Sequence, residues 1–281
     1  MENAKRTMKA AWLFPDILFL HGERGNIMAL ERIAGLLGID LAVEKIDFSS
    51  EKFDPMDYAL IFCPPGEMAS FETVLEWLRP YADDLEKFVE SGRVLLVTGT
   101  SMCMFGRDTA RQDGTVIEGL GMIDCSFKER KYVYGDDICF TSDYGRQREE
   151  CFGVQIQMMD ICSREDRPFG NLIYGFGNDG KDRNEGVIKN NSVFTNVLGP
   201  MLVLNPWLTE EMIRKAAESI GLETDDRSEE RMRGGFYPPL KYFLLSSSRY
   251  AQFGSYQHIV RIYVGVCPHE AVELYAVFFC N

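Results

Sequence analysis

Several features are missing from this chain, and each absence removes a class of function. Basic residues are outnumbered, 30 Lys and Arg against 43 Asp and Glu, for a formal net charge of −13. A surface that neutralises phosphates needs clustered Lys and Arg, so the balance argues against nucleic-acid binding. Solubility alone accounts for the acidic excess. No run of roughly 18 uninterrupted apolar residues occurs, so no membrane span is expected. The apolar stretch before Leu20 is broken by Pro15 and Asp16, and no small-residue cleavage site follows it, which is not a signal-peptide pattern. The eight cysteines, at 63, 103, 125, 139, 151, 162, 267 and 280, never form a Cys-x-x-Cys pair. That spacing argues against a zinc site. Without a secretion signal they are expected to be reduced thiols, mostly buried, in a cytoplasmic protein. No metal or cofactor site is expected.

What is present is a globular chain of 281 residues with 46% apolar content, enough for a large core. Residues 17–20 read as a short strand followed by a polar loop at 21–26. Ile27, Leu30, Ile33, Ala34 and Leu37 recur at helical spacing, and Gly38 closes that helix. Residues 41–46 and 58–62 read as strands, 63–67 as a turn, 68–90 as helix broken at Pro80, and 94–97 as another strand. Strands alternating with helices of these lengths predict right-handed βαβ units and a parallel sheet. Ligands in such sheets sit beyond the strands' carboxyl ends. The loops 21–26, 63–67 and 98–103 would therefore converge on one edge.

Residues 94–106 hold the most informative stretch, an apolar strand, a sharp turn and the start of a helix. Hydrolytic α/β enzymes place a nucleophile at such a junction, with helix N–H groups near the developing oxyanion. Here the residue at the turn is Gly99, which has no nucleophile to offer. Between residues 114 and 193 the pattern shifts to short Gly- and Asp-rich segments, read as hairpins over the sheet edge. Residues 193–198 read as a strand, and Thr209 as the cap of a helix running to Ile220. The Gly-rich loop 175–180 does not lead into a helix, so it is weak as a phosphate site. After Gly221 a charged run at 225–233 precedes an aromatic-rich tail, in which 258–264 and 272–279 could be strands. The tail's aromatics suit a partner surface or a second small core equally.

Taken in order, several motifs resemble the class I glutamine amidotransferases of the cobyric acid synthase type. Gly22-Glu23-Arg24-Gly25-Asn26 is similar to that family's Gly-Asp-x-Gly-Asn loop. The stretch from Pro168-Phe169-Gly170 through Tyr174-Gly175-Phe176-Gly177-Asn178 to Asn184-Glu185-Gly186-Val187 resembles its Pro-Leu-Gly…Tyr-Gly-x-Gly-Asn-Asn…Glu-Gly segment. Gly119-Leu120-Gly121, Gly199-Pro200-Met201-Leu202 and Asn205-Pro206 also match. The resemblance spans residues 13–220. It implies a three-layer, doubly wound α/β fold with a mainly parallel sheet over residues 10–222, followed by a C-terminal extension at 223–281. It also implies glutamine hydrolysis, with ammonia delivered to a partner synthase. In the most similar members that partner is a Mur-ligase-like subunit.

The catalytic positions depart from the family pattern. The family's nucleophilic Cys aligns with Gly99, the Gln of its Cys-Gly-Gly-x-Gln turn with Cys103, and its His general base with Leu198. Its Gly-Gly-Gly-Gln-Asp turn becomes Cys63-Pro64-Pro65-Gly66-Glu67, where each Pro lacks an N–H donor. Its Gly-Phe-Glu-Asn-His segment becomes Gly153-Val154-Gln155-Ile156-Gln157. Loss of nucleophile, base and oxyanion donors together implies a chain without glutaminase activity, retained for binding or scaffolding beside a ligase. What would remain is a vestigial pocket of Gly22, Glu23, Asn26, Gly66, Glu67, Thr100, Ser101 and Gln155. Two alternatives stay open. One is an active enzyme with a rearranged Cys103–His21 dyad. The other is a sensor that still binds a glutamine-like amide. Glu23 and Glu67 could form an acidic pair, against the simpler reading of solvated loop carboxylates.

Overall fold

The computed structural model describes residues 6–50, 52–165 and 167–225, together with the backbone of 259–265 and 271–277. The chain divides into two units, Met1–Thr224 and Asp225–Asn281. Ten strands and helices build the first half of the first unit. They are β1 (Arg6–Leu13), α1 (Arg24–Leu36), β2 (Ile39–Ile46), β3 (Leu60–Cys63), α2 (Phe71–Leu78), α3 (Ala82–Glu90), β4 (Val94–Thr98), α4 (Met102–Phe105), β5 (Asp108–Ala110) and β6 (Val116–Glu118). A long hairpin follows, β7 (Cys125–Ser142) and β8 (Glu149–Ser163). After it come β9 (Gly170–Tyr174), β10 (Asn184–Glu185), β11 (Val187–Lys189), β12 (Ser192–Thr195), β13 (Val197–Leu198), α5 (Met201–Leu204) and α6 (Pro206–Ser219). In the second unit β14 (Ile259–Gly265) and β15 (Ala271–Val277) pair antiparallel, where the sequence suggests two strands. The other aromatics of the tail lie outside the described residues.

The main sheet runs β11-β12-β4-β3-β1-β2, and every neighbour pair is parallel except β11–β12. Alternation along the central strands divides their side chains between two cores. Ala11 and Leu13, Ile61 and Cys63, and Leu95 and Val97 face α2, α3 and α4. Met8 and Ala10, Leu60 and Phe62, and Val94 and Leu96 face α1 and α6. This near-continuous apolar character is what burial on both faces demands of a parallel strand. The result is the three-layer, doubly wound α/β arrangement.

A second, mainly antiparallel sheet is built on the β7–β8 hairpin and carries β5, β6, β9, β10 and β13. The hairpin serves both cores, with Phe127, Met159 and Ile161 on one side and Ile138, Phe140 and Cys151 on the other. The Gly- and Asp-rich region is thus a sheet in its own right. Among the described residues no helix is long and apolar enough to cross a membrane.

Three local expectations need correction. The first strand is Arg6–Leu13, and residues 17–20 lie in a turn. Phe14 adopts φ 48°, and its carbonyl accepts the N–H groups of Ile17 and Leu18 at 3.0 and 2.7 Å. A four-residue apolar run has no readable period, and here it tucks Leu18 into the core. Second, residues 193–198 are two strands in two sheets, broken at Asn196. Thr195 Oγ1 accepts the Val197 N–H, and the Glu185 carboxyl accepts the Asn196 N–H, so side chains capture the backbone at the break. Third, Thr209 does not cap the last helix. α6 starts at Pro206, and Thr209 Oγ1 instead donates to the Leu202 carbonyl at 2.7 Å.

The Asn-Pro motif has a structural explanation. Asn205 is buried, and its amide copies a strand edge: Oδ1 accepts the Phe152 N–H at 2.9 Å while Nδ2 donates to the Phe152 carbonyl at 2.7 Å. Nδ2 also donates to the Met201 carbonyl. Asn205→Ala should therefore cost about 2–4 kcal/mol, since buried backbone groups lose partners that water cannot replace. Denaturant unfolding of this variant beside Asn205→Asp, which keeps only the acceptor, checks the assignment. A loss below about 1 kcal/mol would remove it.

Candidate functional site

The three sequence-expected loops do converge beyond the carboxyl ends of β1, β3 and β4. At the end of β4 the chain turns through Gly99 at φ +59°, a left-handed conformation that side chains rarely adopt. There is also no space for one. A Cβ at position 99 would lie 2.7 Å from Leu198 Cδ2 and 2.7 Å from Pro65 Cβ. These are the residues that stand at the nucleophile, base and oxyanion-loop positions of the resemblance. Three segments far apart in sequence thus meet at one point, and each contributes the residue that departs from the family pattern. Leu198 is 2% exposed, held there because β13 pairs with β8 at Leu198↔Val154.

The loop after β3 turns its carbonyls toward the segments around it. Its carbonyls are all engaged: Ser101 Oγ donates to Pro64 O and Thr100 Oγ1 to Gly66 O, both at 2.6 Å, and the Leu20 N–H donates to Pro65 O at 3.2 Å. Residues 64 and 65 supply no N–H groups, which leaves those of Gly66 and Glu67 as the donors after them in this loop. Thr100 and Ser101 therefore bind the loop itself. Cys63 lies beneath, its thiol pushed up to about 12 by burial.

The family-like Gly-x-x-Gly-Asn loop is bound to the same place by one carboxyl. Glu23 is 1% exposed, so it is not the solvated carboxylate expected from its loop position. Its Oε2 accepts Asn26 Nδ2 at 2.6 Å and Thr98 Oγ1 at 3.0 Å, and its Oε1 accepts the Gly199 N–H at 3.2 Å. It therefore joins the residue before Gly99 to the residue after Leu198. Burial raises its pKa to about 8. Asn26 Oδ1 accepts the Leu202 N–H, and Gly25 packs so closely on Pro200 that a Cβ there would sit 2.6 Å from its ring. Glu67 is exposed and shares no hydrogen bond with Glu23, so the acidic pair does not form.

A second buried carboxyl lies across the β4–β12 pairing, where Thr98 and Thr195 are register partners. Glu185 accepts Thr195 Oγ1 at 2.7 Å, the Asn196 N–H at 3.0 Å and Gln155 Nε2 at 3.3 Å. Burial raises its pKa to about 7. Gln155 is fully occupied elsewhere: its Oε1 accepts the N–H groups of Phe176 and Gly177, and its Nε2 donates to Gly177 O. It holds the Gly-rich loop rather than facing a substrate space. Gln157 and Asn178 complete this network. Sequence reasoning gave Thr98, Glu185, Thr195 and Asn196 no role, although the matched Glu-Gly motif contains one of them.

The alternative dyad has little geometric basis. The Cys103 thiol lies buried in α4, donates to Met159 Sδ at 3.0 Å, and has its pKa pushed up by burial, against thiolate formation. His21 sits half-buried in a tight turn at φ 61°, where burial lowers its pKa. No hydrogen bond joins the two among the described residues. Gly22 and Glu23 border a cleft of about 260 Å³ on the other side of the Pro64–Pro65 loop. Among the described residues, no group of three or more His, Cys, Asp and Glu side chains is placed to hold a metal ion.

Two predictions follow from this packing. Gly99→Ala should destabilise the fold by about 2–4 kcal/mol, combining overpacking against Leu198 and Pro65 with a strained φ, as read by denaturant unfolding. The second concerns pH. A carboxyl whose folded pKa is raised binds its proton more tightly in the folded chain. Its stabilising contribution is therefore complete below the unfolded value near 4.5 and is lost as pH rises through the folded value. Stability should fall from pH 5 to about 8, with the Glu185 share gone by about 7 and the Glu23 share by about 8. Glu23→Gln should flatten the slope by up to ~1.4 kcal/mol per pH unit. An unchanged slope in that variant would mean Glu23 is ionised throughout.

No family model matches the chain. Two curated proteins do. Over 211 residues it is 28% identical to "Lipid II isoglutaminyl synthase (glutamine-hydrolyzing) subunit GatD" of Staphylococcus aureus (strain N315), covering 74% of this chain and 83% of that protein. Over 218 residues it is 23% identical to the protein of the same name in Streptococcus pneumoniae (strain ATCC BAA-255 / R6), covering 76% and 82%. Among solved structures, one titled "Crystal structure of glutamine amidotransferase" aligns with a TM-score of 0.47 at 15% identity, covering 74% of this chain and 98% of that one. Over about three quarters of its length the chain is similar in sequence to the glutamine-hydrolysing subunits of lipid II isoglutaminyl synthase.

Proposed function

We propose that this chain is a glutamine amidotransferase-like subunit that has lost glutaminase activity. It serves as a binding or scaffolding subunit beside an ATP-dependent amide ligase, Mur-ligase-like or of another kind. The observation that carries this reading is the contact of Leu198 and Pro65 at the space a side chain on residue 99 would need. Covalent amide hydrolysis requires a nucleophile, a base to take its proton, and donors for the oxyanion. At these three positions the chain has hydrogen, an isobutyl group and a pyrrolidine ring. The curated relatives are named as subunits of a synthase, which supports a role in a complex. The scaffold that carries the matched motifs is intact and buried, as a retained binding role requires.

The test is ammonia release from glutamine by the chain alone and in the presence of a Mur-ligase-like partner. The expected result is no release above the uncatalysed rate under either condition. Release that disappears in Cys103→Ala would overturn the proposal in favour of a relocated thiol. Restoration is the second arm. Gly99→Cys with Leu198→His should remain inactive, because Pro65 still occupies the nucleophile's space. Adding Pro65→Gly removes that contact and returns an N–H, and should give slow but measurable hydrolysis.

A further inference from the structure

The cleft of about 260 Å³ lies one step along the carboxyl edge from the filled centre. It adjoins the topological switch point of the sheet, reaching from the end of β2 across the end of β1 to Pro64. β1 leads through α1 to β2 on one side, whereas β3 leads through α2 and α3 to β4 on the other. The crevice between the carboxyl ends of β1 and β3 is therefore the point where the winding reverses. That is where open α/β sheets take their ligands. The cleft is walled by the segment after β1, including Asp16, Phe19 and Arg24, and by Pro64 after β3. Its floor includes Trp12 and Lys45, register partners at the ends of β1 and β2.

The cationic groups here are open to solvent. Neither Arg24 nor Lys45 makes an ion pair with a carboxylate among the described residues, and the Lys45 ammonium sits 5.7 Å from the centroid of the Trp12 ring. The Trp12 indole N–H is shielded from solvent and meets no acceptor, an unmade bond that is rare in folded proteins. Phe19 is 63% exposed, a large ring left uncovered on the cleft wall. The wall segment is bracketed by Phe14 and His21, two of the three non-glycine residues with positive φ among those described. Strain of this kind persists where surrounding structure enforces it, often at binding sites. Asp16 at the rim and the buried Glu23 are the acids that line the cleft, and burial raises the pKa of Glu23 to about 8, so at neutral pH two cations face one charged carboxylate.

We propose that this cleft binds a small organic anion with a flat apolar body, the acid group held by Arg24 and Lys45 and the body lying among Trp12, Phe19 and Pro64. The volume falls just below the roughly 300–1,000 Å³ of drug-sized sites, which suits a metabolite. The proposal goes beyond the loss of glutaminase activity and does not depend on it, since the cleft lies outside the contact of Gly99, Leu198 and Pro65.

Saturation-transfer NMR on the full chain tests it with three probes: benzoate, benzamide and inorganic phosphate. Benzoate should bind saturably. Benzamide lacks the charge and phosphate lacks the body, so each should bind at least about tenfold more weakly. The double variant Arg24→Gln, Lys45→Gln should weaken benzoate binding by about tenfold or more. Both side chains are exposed, so its thermal unfolding should match that of the wild type. Trp12→Phe is a second variant that should weaken binding without removing charge. The proposal is overturned if benzoate does not bind saturably, if benzamide or phosphate binds as well as benzoate, or if the double variant binds benzoate like the wild type.

Discussion

A side chain on residue 99 would meet Leu198 Cδ2 and Pro65 Cβ, each at 2.7 Å. That crowding bears on the carboxyl edge because the strand–turn–helix junction at β4 is the kind of turn at which hydrolytic α/β enzymes lift a nucleophile. The left-handed turn survives, as does the short helix behind it. The space above the turn is instead filled by a leucine from β13 and a proline from the loop after β3. A filled hydrophobic contact is a positive interaction, and its removal leaves a cavity. Leu198 and Pro65 therefore share the space beside Gly99.

The motifs that persist are those that hold segments in place. Glu23 connects the loop after β1 to Thr98 and to Gly199, on either side of the altered positions. Gly25 allows Pro200 to approach, and Asn205 completes the edge of β8. Glu185 anchors the break between β12 and β13 that delivers Leu198 to its position. Glu23, Asn205 and Glu185 are buried polar groups with their partners made, and each would be costly to lose.

Much of the architecture was legible in the residues. Alternating helical and strand periods gave the parallel sheet, and the loops at strand ends gave the convergent edge. The failures were local and had physical causes. Residues 17–20 are too few to show a period, so a turn was read as a strand. Residues 193–198 are uniformly apolar around Thr195 and Asn196, and nothing in composition marks a crossing between sheets. Thr209 looks like a cap in sequence, but the tertiary fold brings a carbonyl from the preceding turn to its hydroxyl. For the site, the order of the motifs singled out Gly99, Leu198 and Pro65, and the fold brings these three together. Glu23 was misjudged as solvated, because a charged residue in a Gly-rich loop carries no sign of burial.

The sequence by itself determined that residue 99 has no side chain, that residue 198 has no imidazole, and that residues 64 and 65 have no N–H. These are covalent facts, and no fold can restore them. Only the tertiary structure decided that the three occupy one volume, that Gln155 serves a loop instead of a pocket, and that an open cleft adjoins the winding reversal between β1 and β3. Contacts between residues more than 30 positions apart depend on how strands are ordered in the sheet. That order is set by packing on both faces at once, which no local pattern encodes.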